Sequence, residues 1–328
     1  MGNHLFYGDN LKVLREEIAD ESVDLIYLDP PFNSNATYNQ LFAAPDGSQS
    51  TAQIEAFNDT WHWTDAAERA YDEVRRSGNG NAAQMLTAMR SFLGENDMMA
   101  YLAMMAVRMI ELHRVLKATG SLYLHCDPTA SHYLKILLDA VFGARNFRGE
   151  IIWRRYGSHN DARYNYAKVH DTLLFYSKKN EIKFQPQYEP ASADYIERSY
   201  RQVDEDGRRY RIQNLASPSP RPNLTYEYTA LNGITYKPHP NGWKYSKEKM
   251  REMDEQGRLH YPSKPSGRLA VKNYLDEMKG RPLSDVWIDL PSLSGSHEER
   301  LGYPTQKPVA LLERIVAASS NPGDVVLD

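Results

Sequence analysis

Apolar and polar positions along the chain fall into two kinds of segment. Short apolar runs rich in branched and aromatic residues occur as HLFY at 4–7, VDLIYL at 23–28, SLYLH at 121–125, EIIW at 150–153, DTLLFYS at 171–177 and DVVLD at 324–328. Runs of this kind predict parallel strands covered on both faces. Between them, apolar residues three and four apart predict helices. Leu11, Leu14 and Ile18 share a face after the Gly8-Asp9-Asn10 turn. Met98, Leu102, Met105, Met109, Leu112 and Leu116 form one stripe that stops near Gly120, and Tyr133, Ile136, Leu137 and Val141 lead to Gly143. A last helix, VALLERIVAASS at 309–320, opens at Lys307-Pro308. Alternating strand and helix predicts an α/β fold with a doubly wound sheet.

Two segments break the alternation. Residues 33–96 are rich in Asn, Ser and Gly around a polar helical middle, AAERAYDEVRR, and read as a partly mobile excursion from the core. From about 178 to 283 the periodicity fades, prolines and glycines punctuate the chain, and short aromatic pieces such as LTYEYTA and GWKYS intervene, as expected of a separate or inserted domain.

Composition narrows the class. The 328 residues are 41% hydrophobic and 25% charged, which excludes a disordered or fibrous chain and leaves room for two domains or one core with a large insertion. A single cysteine, Cys126, excludes an intramolecular disulfide framework and any CxxC site. There is no basic segment leading into an apolar run at the start and no uninterrupted apolar stretch of membrane-spanning length, so a cytoplasmic protein is expected. The net charge of −4 hides an asymmetry: residues 145–282 hold 26 Lys and Arg against 17 Asp and Glu, together with 14 of the 22 tyrosines. Such a block is either a surface for polyanions with rings available for stacking or a solvated charged face.

The sharpest chemical signal is Asp29-Pro30-Pro31-Phe32, directly after VDLIYL. Two prolines continue neither a ladder nor a helix, so Asp29 falls at the carboxyl end of a buried strand, the edge where open α/β sheets bind ligands. Without that strand the tetrapeptide would read as a turn with a capping Asp. With it, the residues suit an exocyclic amine. Such a lone pair is delocalised into its ring, and acceptors such as the Asp29 carboxylate and the Pro30 carbonyl would draw the amino hydrogens out of plane while Phe32 offers a stacking face. Other residues are less persuasive. Cys126 reads as packing; His125 and Asp127 invite a triad but no serine in a nucleophile elbow accompanies them; Trp61-His62-Trp63 reads as an anchor. No His, Asp or Glu cluster has metal-ligand spacing, and none is expected to bind a metal.

These blocks resemble the amino-methylating DNA methyltransferases that act on adenine N6 or cytosine N4. Asp29-Pro30-Pro31-Phe32 matches the family's D/N/S-P-P-Y/F tetrapeptide. GDNLKVL (8–14), GSLYLHCD (120–127), HDTLLFYSK (170–178) and YPTQKPVALLERIVAASSNPGDVVLD (303–328) follow in an order similar to its β group, with the catalytic half first. The resemblance implies a Rossmann-like, mostly parallel sheet with an inserted target-recognition domain. It divides the chain into a catalytic half (1–178, including the 33–96 excursion), a recognition domain (179–285) and the start of the cofactor-binding half (286–328). It implies S-adenosylmethionine as cofactor, catalytic roles for Asp29, Pro30, Pro31 and Phe32, and cofactor contacts at Asp9, Asn10, Asp29, Gln306, Lys307, Pro308 and Asp328. For Asp9 and Asn10 a helix-capping role stands equally open.

In the family the strand equivalent to DVVLD continues into a Gly-rich P-F-x-G-x-G-T turn, whereas this sequence stops at Asp328. The expectation is therefore a cofactor half that is incomplete at its C-terminus, in a fragment or in a chain completed by a homodimer partner or a second polypeptide. The implied activity is adenine-specific methylation of a flipped base in double-stranded DNA, within restriction-modification and alongside a restriction endonuclease. Cytosine-N4 methylation, or a recognition subunit inactive without its partner, are the alternatives.

Overall fold

The structure is a computed structural model that describes residues 2–30, 37–40, 54–58, 61–155, 164, 166–264, 267–293, 297–301 and 305–328. Two compact units emerge: residues 1–187 with 284–328, and residues 188–283.

In the first unit, β1 (Val23–Leu28), β2 (Leu116–Cys126), β3 (Phe147–Arg154), β4 (His170–Ser177), β5 (Val286–Trp287) and β6 (Val326–Leu327) form one sheet. Their spatial order is β5-β3-β4-β2-β1-β6, and all neighbours are parallel except around β4, which runs antiparallel to β2 and β3. Register decides which residues share a face. Pairing of Ile26 with Leu122 and of Leu122 with Tyr176 puts these side chains together with Leu124 and Leu174 on one side. They meet α1 (Asn10–Glu16), α2 (Asp65–Arg76), α3 (Gly80–Leu93), α4 (Asp97–Val115) and α5 (Ser131–Leu138) in a single core. The alternate residues turn to the other side, which α6 (Val309–Ser319) reaches through a hydrogen bond between Tyr123 Oη and Ser319 Oγ at 2.8 Å. Burial on both faces is why these strands read as continuous apolar runs. The α4 methionines Met99, Met105 and Met109 are fully inside, each contributing about 1.5–3 kcal/mol of burial.

At the amino end of β1, Asp24 is buried and accepts three hydrogen bonds: from Lys117 Nζ at 2.6 Å, Lys183 Nζ at 2.8 Å and the Val325 N–H at 3.0 Å. This carboxylate ties β1 to β2 and to the segment entering β6.

The structure departs from the sequence reading in three places. Residues 4–7 join no ladder, and Leu5 and Tyr7 are exposed; apolar character alone suggested a strand, and none of the described residues pairs with them. The helix before β2 ends at Val115, because Leu116 takes an extended backbone and pairs with Val23. Much of 61–96 belongs to the core rather than to an excursion. Tyr71 and Val74 of α2 and Leu86 and Met89 of α3 lie inside it. AAERAYDEVRR is polar in composition, yet Ala67, Tyr71 and Val74 fall four and three apart on the face that packs. Trp61 and Trp63 pack against the same core, as an anchor should, and the Arg90 guanidinium lies 4.6 Å from the Trp63 ring and 4.5 Å from that of Tyr71. Of the remaining excursion, Thr37–Gln40 and Ile54–Asn58 pair antiparallel.

The second unit has a four-stranded antiparallel sheet, ordered Leu259–His260, Ala270–Tyr274, Arg209–Asn214, Gln202–Val203, and a helix, Lys247–Glu255. Its own core gathers Leu215, Tyr228, Trp243 and Met250. Buried Asp254 is satisfied by the Tyr228 hydroxyl at 2.8 Å, the Leu231 N–H at 2.9 Å and the Tyr261 hydroxyl. Gly242 takes φ 83°, and a Cβ there would lie 2.7 Å from the Arg221 carbonyl oxygen, so only glycine fits the turn. Among the described residues no helix is long and apolar enough to cross a membrane.

Candidate active site

Strands β1 and β6 lie side by side, with Ile26 paired to Leu327, so the chain leaves both at the carboxyl edge of the sheet. Asp29 follows the first and Asp328 the second. Lys307, just ahead of α6, reaches this edge: its Nζ lies 2.5 Å from Asp29 Oδ2 and donates to the Thr305 carbonyl at 3.2 Å. The pair is largely shielded, with side chains 24% (Asp29) and 12% (Lys307) exposed, which makes it stronger than a surface ion pair. Burial, and then the Asp29 charge, push the Asp328 carboxyl above its ordinary range, with Lys307 opposing. Two carboxylates and one ammonium thus share the edge. Pro30 is buried directly behind Asp29. Pro31 and Phe32 lie outside the described residues.

The flanking residues hold this turn in place. Gln306 accepts from the Leu301 N–H at 2.8 Å and donates to the Glu299 carbonyl at 2.7 Å, while Pro308 occupies the N-cap position of α6. Glu299 accepts from the Val309 N–H at 3.1 Å and so supplies the acidic group that a helix start favours. Sequence reasoning missed Glu299, because a cap ten residues away leaves no local signature. Asp9 and Asn10 open α1. Asp9 Oδ1 accepts from the Leu11 N–H at 3.0 Å, which is the capping role, and Arg108 of α4 holds both, at 2.7 Å from Asp9 Oδ1 and 2.7 Å from Asn10 Oδ1.

A family model described as DNA methylase matches residues 23–328. The chain belongs to this DNA methylase family. It is 26% identical to the type II methyltransferase M.EcaI of Enterobacter cloacae, over 99% of this chain and 61% of that protein. It is 25% identical to the Mod subunit of the type III restriction-modification enzyme StyLTI of Salmonella typhimurium, over 99% of this chain and 48% of that protein. The chain therefore spans about half to three-fifths of the length of these relatives. A shorter match, 57% identical over 44 residues, links 13% of the chain to 15% of the DNA adenine methyltransferase YhdJ of Escherichia coli.

The remaining polar residues of the edge lie around β2. Cys126 is fully buried, burial pushes its thiol far above the ordinary range, and its Sγ faces the Thr172 carbonyl at 3.6 Å, which fits packing rather than nucleophilic attack. Asp127 accepts from the Thr129 N–H and hydroxyl, both at 3.0 Å, and shapes the turn into α5. His125 pairs instead with Asp171, Nε2 to Oδ2 at 2.9 Å. The sequence carried one sign of this second carboxylate, a charged residue at the head of a strand otherwise buried throughout.

Proposed function

We propose that the chain transfers a methyl group from S-adenosylmethionine to N6 of adenine in duplex DNA, with Asp29 holding the reacting amine. The observation that carries this reading is the Asp29–Lys307 pair at the carboxyl edge beside Asp328. The charges there fit the cofactor's amino-acid end: Lys307 suits its carboxylate and Asp328 its ammonium, with Asp9, Asn10, Gln306 and Pro308 as further contacts. When bound, the cofactor supplies an electrophilic methyl on a sulfonium. The residues of the chain do the rest. Lys307 holds Asp29 Oδ2 and so orients the carboxylate. Asp29 and the Pro30 carbonyl accept from the amino hydrogens, which restores nucleophilic character to a nitrogen otherwise conjugated with its ring. The amine sheds one proton as it is methylated, along the hydrogen bond Asp29 already accepts. Pro31 and Phe32, outside the described residues, keep the catalytic roles that the sequence resemblance implies for them.

A stacked base cannot present its amine to this edge, so the target is extruded from the helix. Residues 188–283 serve as the recognition domain: Arg198, Arg201, Arg221, Lys237, Lys247 and Lys279 are exposed on that unit and suit phosphate contacts. Asp at the head of the tetrapeptide and the YhdJ match favour adenine over cytosine N4. The relatives named for restriction-modification support a restriction endonuclease as partner. The test is product analysis: mixed-sequence DNA is incubated with the protein and labelled S-adenosylmethionine, hydrolysed to nucleosides and chromatographed. Label in N6-methyladenine is expected. Label in N4-methylcytosine would overturn the adenine assignment, and no labelled nucleoside from a preparation that binds S-adenosylmethionine would overturn the function.

A further inference from the structure

Four polar residues at the carboxyl edge are not used by the chemistry above. Tyr27 Oη lies 2.7 Å from His125 Nδ1, His125 Nε2 lies 2.9 Å from Asp171 Oδ2, and Arg155 Nε lies 3.1 Å from Asp171 Oδ1. His125 and Asp171 are completely buried and Tyr27 is 4% exposed. The four belong to different strands: Tyr27 to β1, His125 to β2, Asp171 to β4, and Arg155 directly follows β3. Taken from Arg155 to Tyr27 they follow the spatial order β3-β4-β2-β1, so one polar line crosses the sheet from strand to strand. Register places them on a single face: Tyr27 pairs with Tyr123, two residues before His125, and Trp153 pairs with Asp171, two residues before Arg155. The line ends on β1 two residues before Asp29, and strand alternation puts Tyr27 and Asp29 on the same face.

Stability does not account for such a line. A buried ion pair gains little over well-packed apolar residues of the same shape, whereas a satisfied buried network specifies geometry, because any displacement leaves a partner unpaired. The carboxylate partner limits how the imidazole can bond. A carboxylate accepts and cannot donate, so Nε2 carries the hydrogen toward Asp171, and in that tautomer Nδ1 is left as the acceptor for the Tyr27 hydroxyl. His125 thus joins the ends of β1, β2 and β4 through directional hydrogen bonds, and the Arg155–Asp171 ion pair adds the end of β3.

We propose that Arg155, Asp171, His125 and Tyr27 act as positioning residues that fix the end of β1 and hence the placement of Asp29. This rests on the assignment of Asp29 to the reacting amine. Tyr27→Phe removes the last bond of the line while keeping the ring, and Asp171→Asn keeps an acceptor for His125 but removes the charge opposite Arg155. Steady-state methylation by both variants should show kcat reduced about tenfold, with KM for DNA and for S-adenosylmethionine within about twofold. For Tyr27→Phe, circular dichroism should stay near that of the parent while the melting temperature falls somewhat, because the buried His125 Nδ1 loses its partner. A structural role alone would lower the melting temperature and the active fraction but leave turnover per folded molecule unchanged. Asp29→Ala is measured in parallel. If it is inactive while Tyr27→Phe and Asp171→Asn turn over normally per folded molecule, the positioning line is overturned; if Asp29→Ala itself turns over normally, the assignment of Asp29 fails instead.

Discussion

Replacing Asp24 by Asn tests how the edge strand β6 is held. The substitution preserves volume but sets an amide nitrogen among three donors: Lys117 Nζ at 2.6 Å, Lys183 Nζ at 2.8 Å and the Val325 N–H at 3.0 Å. Two ammonium partners lose a charge-assisted bond, each worth about 1.5–3 kcal/mol when fully shielded. The lysines are 38% and 31% exposed, and Lys183 keeps Asp324 at 2.8 Å, so much of that loss is recovered by water and the second carboxylate. An unsatisfied backbone N–H at Val325 adds about 1 kcal/mol or more. The net cost at neutral pH is about 3 kcal/mol, measured by urea denaturation. Burial pushes the Asp24 carboxyl up, but the two lysines and the Val325 N–H outweigh it and hold it below its ordinary range. A depressed folded-state value means the contribution is complete above the unfolded value, about pH 4, and fades as the pH falls through the folded value. The gap between parent and variant should therefore narrow below about pH 4. Amide exchange at Leu327 should also accelerate, since β6 has only two residues paired with β1. Equal stability at pH 7, or a gap that persists into strong acid, would refute the reasoning.

Three further outcomes follow from the same structure. Cys126→Ala should retain methyl transfer within about twofold, because the thiol is buried and its ionisation is suppressed; a tenfold loss of turnover would give it a chemical role. In the second unit, Lys272 at 2.8 Å and then the Tyr274 hydroxyl hold the Asp204 carboxyl down at about 2, so its contribution to stability is lost between about pH 4 and pH 2; Asp204→Asn should flatten that acid limb in a fluorescence-monitored titration, and an unchanged limb would contradict it. DNA affinity should fall steeply with salt, with a slope of log K against log salt near −4.5 if about five phosphates are neutralised; a flat dependence would remove residues 188–283 as a phosphate surface.

Much of the architecture was legible because two-sided burial writes itself as unbroken apolar runs: VDLIYL and DTLLFYS are strands where their composition places them. Residues 4–7 show the limit of that signal, since an apolar tetrapeptide without a hydrogen-bonding neighbour is not a strand. In α2 the opposite happened, a narrow apolar stripe being hidden by a polar average. For the site, Asp29 stood out locally because prolines follow a buried strand. Its partner Lys307 is 278 residues away and Asp171 is 46 residues from His125, distances at which only the strand order reveals which charges meet. Glu299 as the cap of α6 was invisible for the same reason.

The central claim is that Asp29 holds the reacting amine. It is tested most directly by comparing the parent protein and Asp29→Ala in transfer of labelled methyl from S-adenosylmethionine to DNA, with DNA affinity measured on the same samples. The account predicts turnover reduced at least about a hundredfold, as when an oriented acceptor of the transition state is lost, with DNA affinity within a few-fold of the parent. Turnover close to that of the parent would contradict it.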